Sequence, residues 1–106
     1  MPEGHTLHRL ARRHTRLLGG RRVTVTSPQG RFADGAAAVD GMTFGRADAW
    51  GKHLVHRYRA GRREQLIHIH LGLYGAFTEA PVPMDDPVGQ VRLRIESDEI
   101  GIDLRG

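Results

Sequence analysis

The strongest constraint on this chain is a change of hydrophobic period near residue 20. Before it, Leu7, Leu10, Ala11, His14, Leu17 and Leu18 recur at three- and four-residue spacing, which puts them on one stripe of a helix. The spacing predicts a helix over Gly4–Leu18, with Gly19-Gly20 as its stop. Arg9, Arg12, Arg13 and Arg16 form a second stripe on another face, open to phosphate or water. After residue 20 the period is mostly two. Val23 and Val25 punctuate Arg22–Thr26, and Leu66, His68 and His70 alternate with Ile67, Ile69 and Leu71. Val91, Leu93 and Ile95 point one way in Gln90–Glu96, as do Ile100, Ile102 and Leu104 in Glu99–Leu104. Met42–Trp50, His53–Arg59 and Ala76–Glu79 read as further extended segments, and Ala36–Val39 as one helical turn. Turn signals separate them, including Ser27-Pro28-Gln29-Gly30, Gly51-Lys52 and a Pro/Asp loop over Ala80–Gly89. One helix followed by seven or eight short strands predicts a mostly β (α+β) domain, a sandwich or barrel with an N-terminal helix.

The 106 residues fit one domain, with no linker, repeat or low-complexity tract. The chain has no cysteine, which excludes disulfides and thiolate zinc sites. It lacks a long apolar run and a charged-then-apolar start, so a soluble intracellular protein is expected. The net charge of +4 is unevenly placed. Residues 1–63 hold 13 Lys/Arg and four Asp/Glu, a net +9, whereas residues 64–106 hold three and eight, a net −5. A basic front half points to a polyanionic partner such as nucleic acid. Lys52 is the single lysine among sixteen basic residues.

The first residues carry the most specific chemistry. Proline after the initiator methionine is small enough for the methionine to be removed, leaving a secondary amine on Pro2. An α-amino group titrates at roughly 7.7–8.0, so a useful fraction is neutral near pH 7 and can form a Schiff base with carbonyl-like carbon. Glu3 beside it offers a carboxyl for proton transfer. The same pair also suits a plain helix start. Lys52 sits in a Trp50-Gly51-Lys52-His53 turn, where a cation reaches a ligand without crossing the sheet, or is simply solvated. Gly72-Leu73-Tyr74-Gly75 places two large apolar side chains between glycines. They either tuck into the sandwich edge or wedge between base pairs. His68 with His70, and His5 with His8, have chelating spacings, but no third ligand is marked, and no metal site is expected.

Met1-Pro2-Glu3-Gly4, the Gly51-Lys52 hairpin and His70-Leu71-Gly72-Leu73-Tyr74-Gly75 together resemble the formamidopyrimidine-DNA glycosylase/endonuclease VIII family. The likeness is greatest to its actinobacterial-type endonuclease VIII branch, whose members begin with a similar Pro-Glu-Gly-His-Thr run. It covers the whole chain and implies that family's N-terminal catalytic domain, a two-sheet antiparallel β-sandwich of seven or eight strands with one N-terminal helix. By resemblance, Pro2 attacks C1′ of a damaged nucleoside and Glu3 protonates the opening deoxyribose. Successive β- and δ-elimination then cuts the strand. Lys52 and His70 correspond to phosphate-contacting residues, with Lys52 also assisting catalysis, and Leu73 with Tyr74 corresponds to the wedge behind the flipped nucleotide. Arg105 falls where relatives place an arginine in the void.

The chain departs from the family at Thr6, where some members carry a second glutamate, and near Asp103–Gly106, where no void-filling phenylalanine is present. The family's helix-two-turns-helix domain and zinc finger are expected to lie outside this chain, which leaves it with no cofactor. The resemblance implies damaged double-stranded DNA as partner, no membrane, a monomer, and a cytoplasmic, nucleoid-associated location. The rival expectation is a non-catalytic nucleic-acid-binding domain with little activity alone. A histidine-based metal protein is a third.

Overall fold

The computed structural model describes residues 4–70 and 76–105, and of His5 only the backbone. The elements run α1 (Gly4–Leu18), β1 (Thr24–Thr26), α2 (Ala33–Val39), β2 (Thr43–Trp50), β3 (His53–Ala60), β4 (Arg63–His70), β5 (Ala76–Pro81), β6 (Val91–Glu96) and β7 (Ile100–Arg105). They form two antiparallel sheets, one ordered β2-β3-β4 and the other β1-β6-β7-β5. The expected two-sheet sandwich with an N-terminal helix is therefore present, with seven strands among the described residues.

The helix and strand limits follow the two hydrophobic periods closely. Helix α1 spans the expected Gly4–Leu18, and Leu7, Ala11, His14 and Leu18 of its stripe are buried. Gly20 ends it in the left-handed region at φ 78°, and its N–H donates to the Phe44 carbonyl at 2.8 Å. The single helical turn expected over Ala36–Val39 is a two-turn helix instead, beginning at Ala33. Its extra turn forms around the Phe32 ring, which packs so closely on Gly35 that a Cβ there would overlap it. The Asp40 carboxylate that follows accepts from the Val25 N–H at 2.9 Å. That bond satisfies the edge of β1, which has a strand partner on only one side.

Helix α1 lies on β2. Thr15 Oγ1 accepts from the Ala47 N–H at 2.9 Å and donates to the Ala11 carbonyl at 2.9 Å. Next to it, His14 Nδ1 and His56 Nε2 meet at 2.9 Å in a buried hydrogen bond. Phe77 stands edge-on to His14 at 4.6 Å and Phe44 to His56 at 5.0 Å. The alternating residues of both sheets close the core around these rings, with Leu54, Tyr58, Ile67 and Ile69 from one sheet and Leu93, Ile95, Ile102 and Leu104 from the other.

The outer face of the β1-β6-β7-β5 sheet holds a polar pair that periodicity does not announce. Arg94 and Asp103 are cross-strand partners, with side chains 10% and 5% exposed. Arg94 Nε and Nη2 donate to the two Asp103 oxygens at 2.8 and 2.9 Å, and Nη1 donates to the Asp85 carbonyl at 2.9 Å. The β5–β6 loop therefore crosses this face and buries the pair. Met84 lies over Gly101, where a Cβ would overlap its sulfur.

Two outcomes are expected. Burial lowers His14 to about 4 and holds His56 well below its ordinary value. In the unfolded chain both titrate near 6.5, so below that pH the unfolded state binds more protons. Stability is full above about pH 6.5 and falls as pH drops toward 4, by about 1.4 kcal/mol per unit for each ring. Urea unfolding should lose roughly 2–4 kcal/mol between about pH 7 and about pH 5. A His14→Leu variant should show about half that slope. Separately, Asp103→Ala strands a buried guanidinium and should cost about 3–5 kcal/mol at neutral pH. The double variant Arg94→Met/Asp103→Leu should recover most of that loss in the same urea assay.

Candidate nucleic-acid interface

Chain direction brings the chemistry-bearing segments to one end of the sandwich. The C-terminal end of α1 meets β2 at Phe44, and Thr15 meets it at Ala47. The N-terminal end of α1 therefore points toward Trp50, where β2 turns into β3. Gly4, the first helical residue, follows Pro2-Glu3 in the chain. Pro2 and Glu3 themselves lie outside the described residues.

The turn at that end is a two-residue hairpin. Trp50 pairs with His53, leaving Gly51 and Lys52 at the tip, with Gly51 at φ 61°. Glycine in the first turn position of a tight hairpin adopts the positive φ that matches the twist of the strands. Lys52 is exposed there. On the other side of β3, His53 pairs with His70, the last residue of β4. His70 is exposed as well, one residue before the segment that holds Leu73 and Tyr74. Those two also lie outside the described residues.

The two sheets meet at this end. A cavity of about 170 Å³ is lined by Ile69 and His70 from one sheet and Leu93 and Leu104 from the other. Arg105 follows Leu104 and pairs in register with Ala76 and Val91. Its guanidinium is held along the sheet, donating to Thr78 Oγ1 at 2.8 Å and the Val88 carbonyl at 3.4 Å, with Asp103 at 3.8 Å. It reaches this end already engaged by protein, whereas Lys52 has no hydrogen bond or ion pair among the described residues. Lys52, His70, Arg105 and the N-terminal end of α1 are thus brought to the same end of the fold.

One participant is invisible to a reading of β4 alone. His53 belongs to the same exposed face as His68 and His70, its ring centroid 4.4 Å from His68 and 5.1 Å from His70. Desolvation, then His68 and His70 as nearby charges, hold His53 below its ordinary pKa. The signal for it was the Gly61-Arg62 turn, which fixes the β3–β4 register and sets His53 opposite His70. Among the described residues, no set of three His, Asp or Glu side chains is arranged to hold a metal ion. No helix among them is long and apolar enough to cross a membrane.

The remaining outer face of β2-β3-β4 is arginine-rich. Asp48 accepts from Arg57 Nε at 2.9 Å and Arg46 Nε at 3.1 Å. The Arg57 hydrogen bond keeps its carboxyl below the usual range against desolvation, with smaller help from Arg46 and Arg57 as nearby charges. Arg57 also lies 3.7 Å from Glu64. Both acids on this face are therefore taken up by arginine.

The chain is 57% identical, over an alignment of 110 residues, to proteins named Endonuclease 8 1 from Mycobacterium tuberculosis and Mycobacterium bovis. The alignment covers all of this chain and 40% of each of those proteins, so the chain spans about two fifths of their length. A solved structure of a viral DNA glycosylase superposes with a TM-score of 0.70 over 92% of this chain and 35% of its own, at 16% identity. That likeness is one of fold. The family model for the formamidopyrimidine-DNA glycosylase N-terminal domain matches residues 1–105, and the chain belongs to that family.

Proposed function

We propose that this chain is the catalytic N-terminal domain of a bifunctional DNA glycosylase/AP lyase that removes oxidised bases from duplex DNA in base-excision repair. The observation that carries the reading is the convergence, at one end of the sandwich, of the N-terminal end of α1 with the exposed Lys52 hairpin and His70. The 57% identity to mycobacterial proteins named as endonucleases supports it. In this reading the neutral Pro2 amine attacks C1′ of the damaged nucleoside, and the base leaves with the glycosidic electron pair. Glu3 protonates the ring oxygen as the sugar opens to the iminium ion. β-Elimination expels the 3′ phosphate and δ-elimination the 5′ phosphate, and hydrolysis of the imine frees the amine. The sequence of steps needs no electron donor or acceptor.

Lys52 and His70 are assigned to backbone phosphates beside the lesion, and Leu73, Tyr74 and Arg105 to the void left by the extruded nucleotide. Phosphate contacts supply most of the affinity for DNA and make it salt-dependent. Because the chain spans only 40% of its mycobacterial relatives, a second reading is a nucleic-acid-binding domain with little turnover alone.

Borohydride trapping separates the two. With an oligonucleotide carrying one abasic site, the mature chain should yield a covalent adduct that disappears when the Pro2 amine is acetylated. No adduct at low salt, with Met1 confirmed absent, would leave only the binding reading. Lys52→Gln should weaken binding to the same duplex and lower the salt slope by about 1. Its stability should stay within about 0.5 kcal/mol of the parent, because the side chain is exposed.

A further inference from the structure

The outer face of β2-β3-β4 beside Lys52 carries more recognition chemistry than a single phosphate contact needs. Three imidazoles share it, with His53 between His68 and His70 at ring separations of 4.4 and 5.1 Å. All three are exposed, and none has a carboxylate partner among the described residues. Next to them a groove of about 240 Å³ is lined by Trp50, His53, Val55, Leu66 and His68. Its walls are apolar and unusually bare, with Trp50 81% and Leu66 50% exposed.

We propose that His53 and His68, with His70, form a cradle for a backbone phosphate, and that Trp50, Val55 and Leu66 receive the deoxyribose attached to it. The cradle would hold one deoxyribose-phosphate unit flanking the lesion. It would bind that unit in a proton-dependent way. The assignment rests on the reading that this end of the fold takes DNA, and adds to it two histidines and a tryptophan outside the residues assigned to catalysis or lesion contact.

The charges around the cradle favour an anion. Asp48 on β2 is clamped by Arg46 and Arg57, and Glu64 on β4 faces Arg57. Arg59 and Lys52 add two further cations on the same face and its turn. Four basic side chains therefore stand against two acids before any imidazole is protonated. Rings this close repel one another when charged, and His53 already sits below its ordinary pKa, first through desolvation and then through His68 and His70 beside it. A phosphodiester laid across them relieves the repulsion and offers acceptors to their N–H groups, so its arrival draws protons onto the rings. A metal ion would need the rings to converge on a common point, and no such set exists among the described residues.

Trp50 is the only tryptophan, so its fluorescence reports occupancy of the groove directly. The probes are a duplex with a stable abasic-site analogue, inorganic pyrophosphate and zinc ion. The duplex should quench Trp50, with binding about fivefold to tenfold tighter near pH 6 than near pH 8, the size of effect expected for uptake of about one proton. In a His53→Gln/His68→Gln variant, checked for unchanged thermal unfolding, that pH dependence should largely vanish. By proton NMR, the His53 imidazole should titrate at higher pH with duplex or pyrophosphate present. Duplex binding whose pH dependence survives in the double variant would overturn the cradle and leave the glycosylase reading standing. Imidazoles that respond to zinc, but to neither phosphate probe, would overturn it in favour of a metal site. A response to pyrophosphate without duplex binding would support the phosphate cradle and refute the DNA-repair reading.

Discussion

The position of the candidate site depends on how α1 is docked on β2. A helix held only by apolar contacts can slide by a turn with little change in buried area. Here the Thr15 hydroxyl both accepts from Ala47 and donates to its own helix, and the Gly20 amide closes on Phe44. These bonds fix the helix along the strand, and the His14–His56 hydrogen bond fixes its rotation. The helix start then faces the Gly51-Lys52 tip because β2 is eight residues long and ends in a two-residue turn.

Much of this arrangement was legible in the sequence, and the illegible parts share a cause. The α1 stripe, the period-two segments and the glycine turns each depend on neighbours within a few residues, so their pattern is local. The His14–His56 pair is different. His14 reads as one more member of an apolar stripe and His56 as part of an extended segment, and only packing of α1 on β3 reveals that each answers the other. Arg94 and Asp103 read as solvent-facing alternates in their strands, which they would be if the β5–β6 loop did not fold back over them. His53 could have been placed beside His70 by counting back from Gly61-Arg62, given confidence that the hairpin there was a tight one. The start of α2 was misjudged for a similar reason, since the Phe32–Gly35 contact that extends it has no period.

The charge asymmetry along the chain also has a spatial resolution. Several acids of the second half are consumed by arginines from elsewhere in the chain, with Glu79 gripping Arg13, Asp98 meeting Arg21, and Asp103 enclosing Arg94. The hydrogen bond from Arg13 holds the Glu79 carboxyl below its usual range. Folding thus spends most of the acidic half on neutralising particular arginines. Arg9, Arg12 and Arg16 of the α1 stripe and Lys52 at the β2–β3 tip stay exposed. A net charge of only +4 therefore understates the local field a polyanion would meet.

The two faces of the sandwich are clothed differently. Residues 82–90 wrap the outer side of β6 and β7, with Met84 seated on Gly101 and Asp85 bonded through its carbonyl to Arg94. Among the described residues nothing lies over the outer side of β2-β3-β4. The wrap carries Asp85 and Asp86, so it presents carboxylates where the bare side presents arginine and imidazole. The covering loop thereby gives the domain an acidic back and a front of arginine and imidazole.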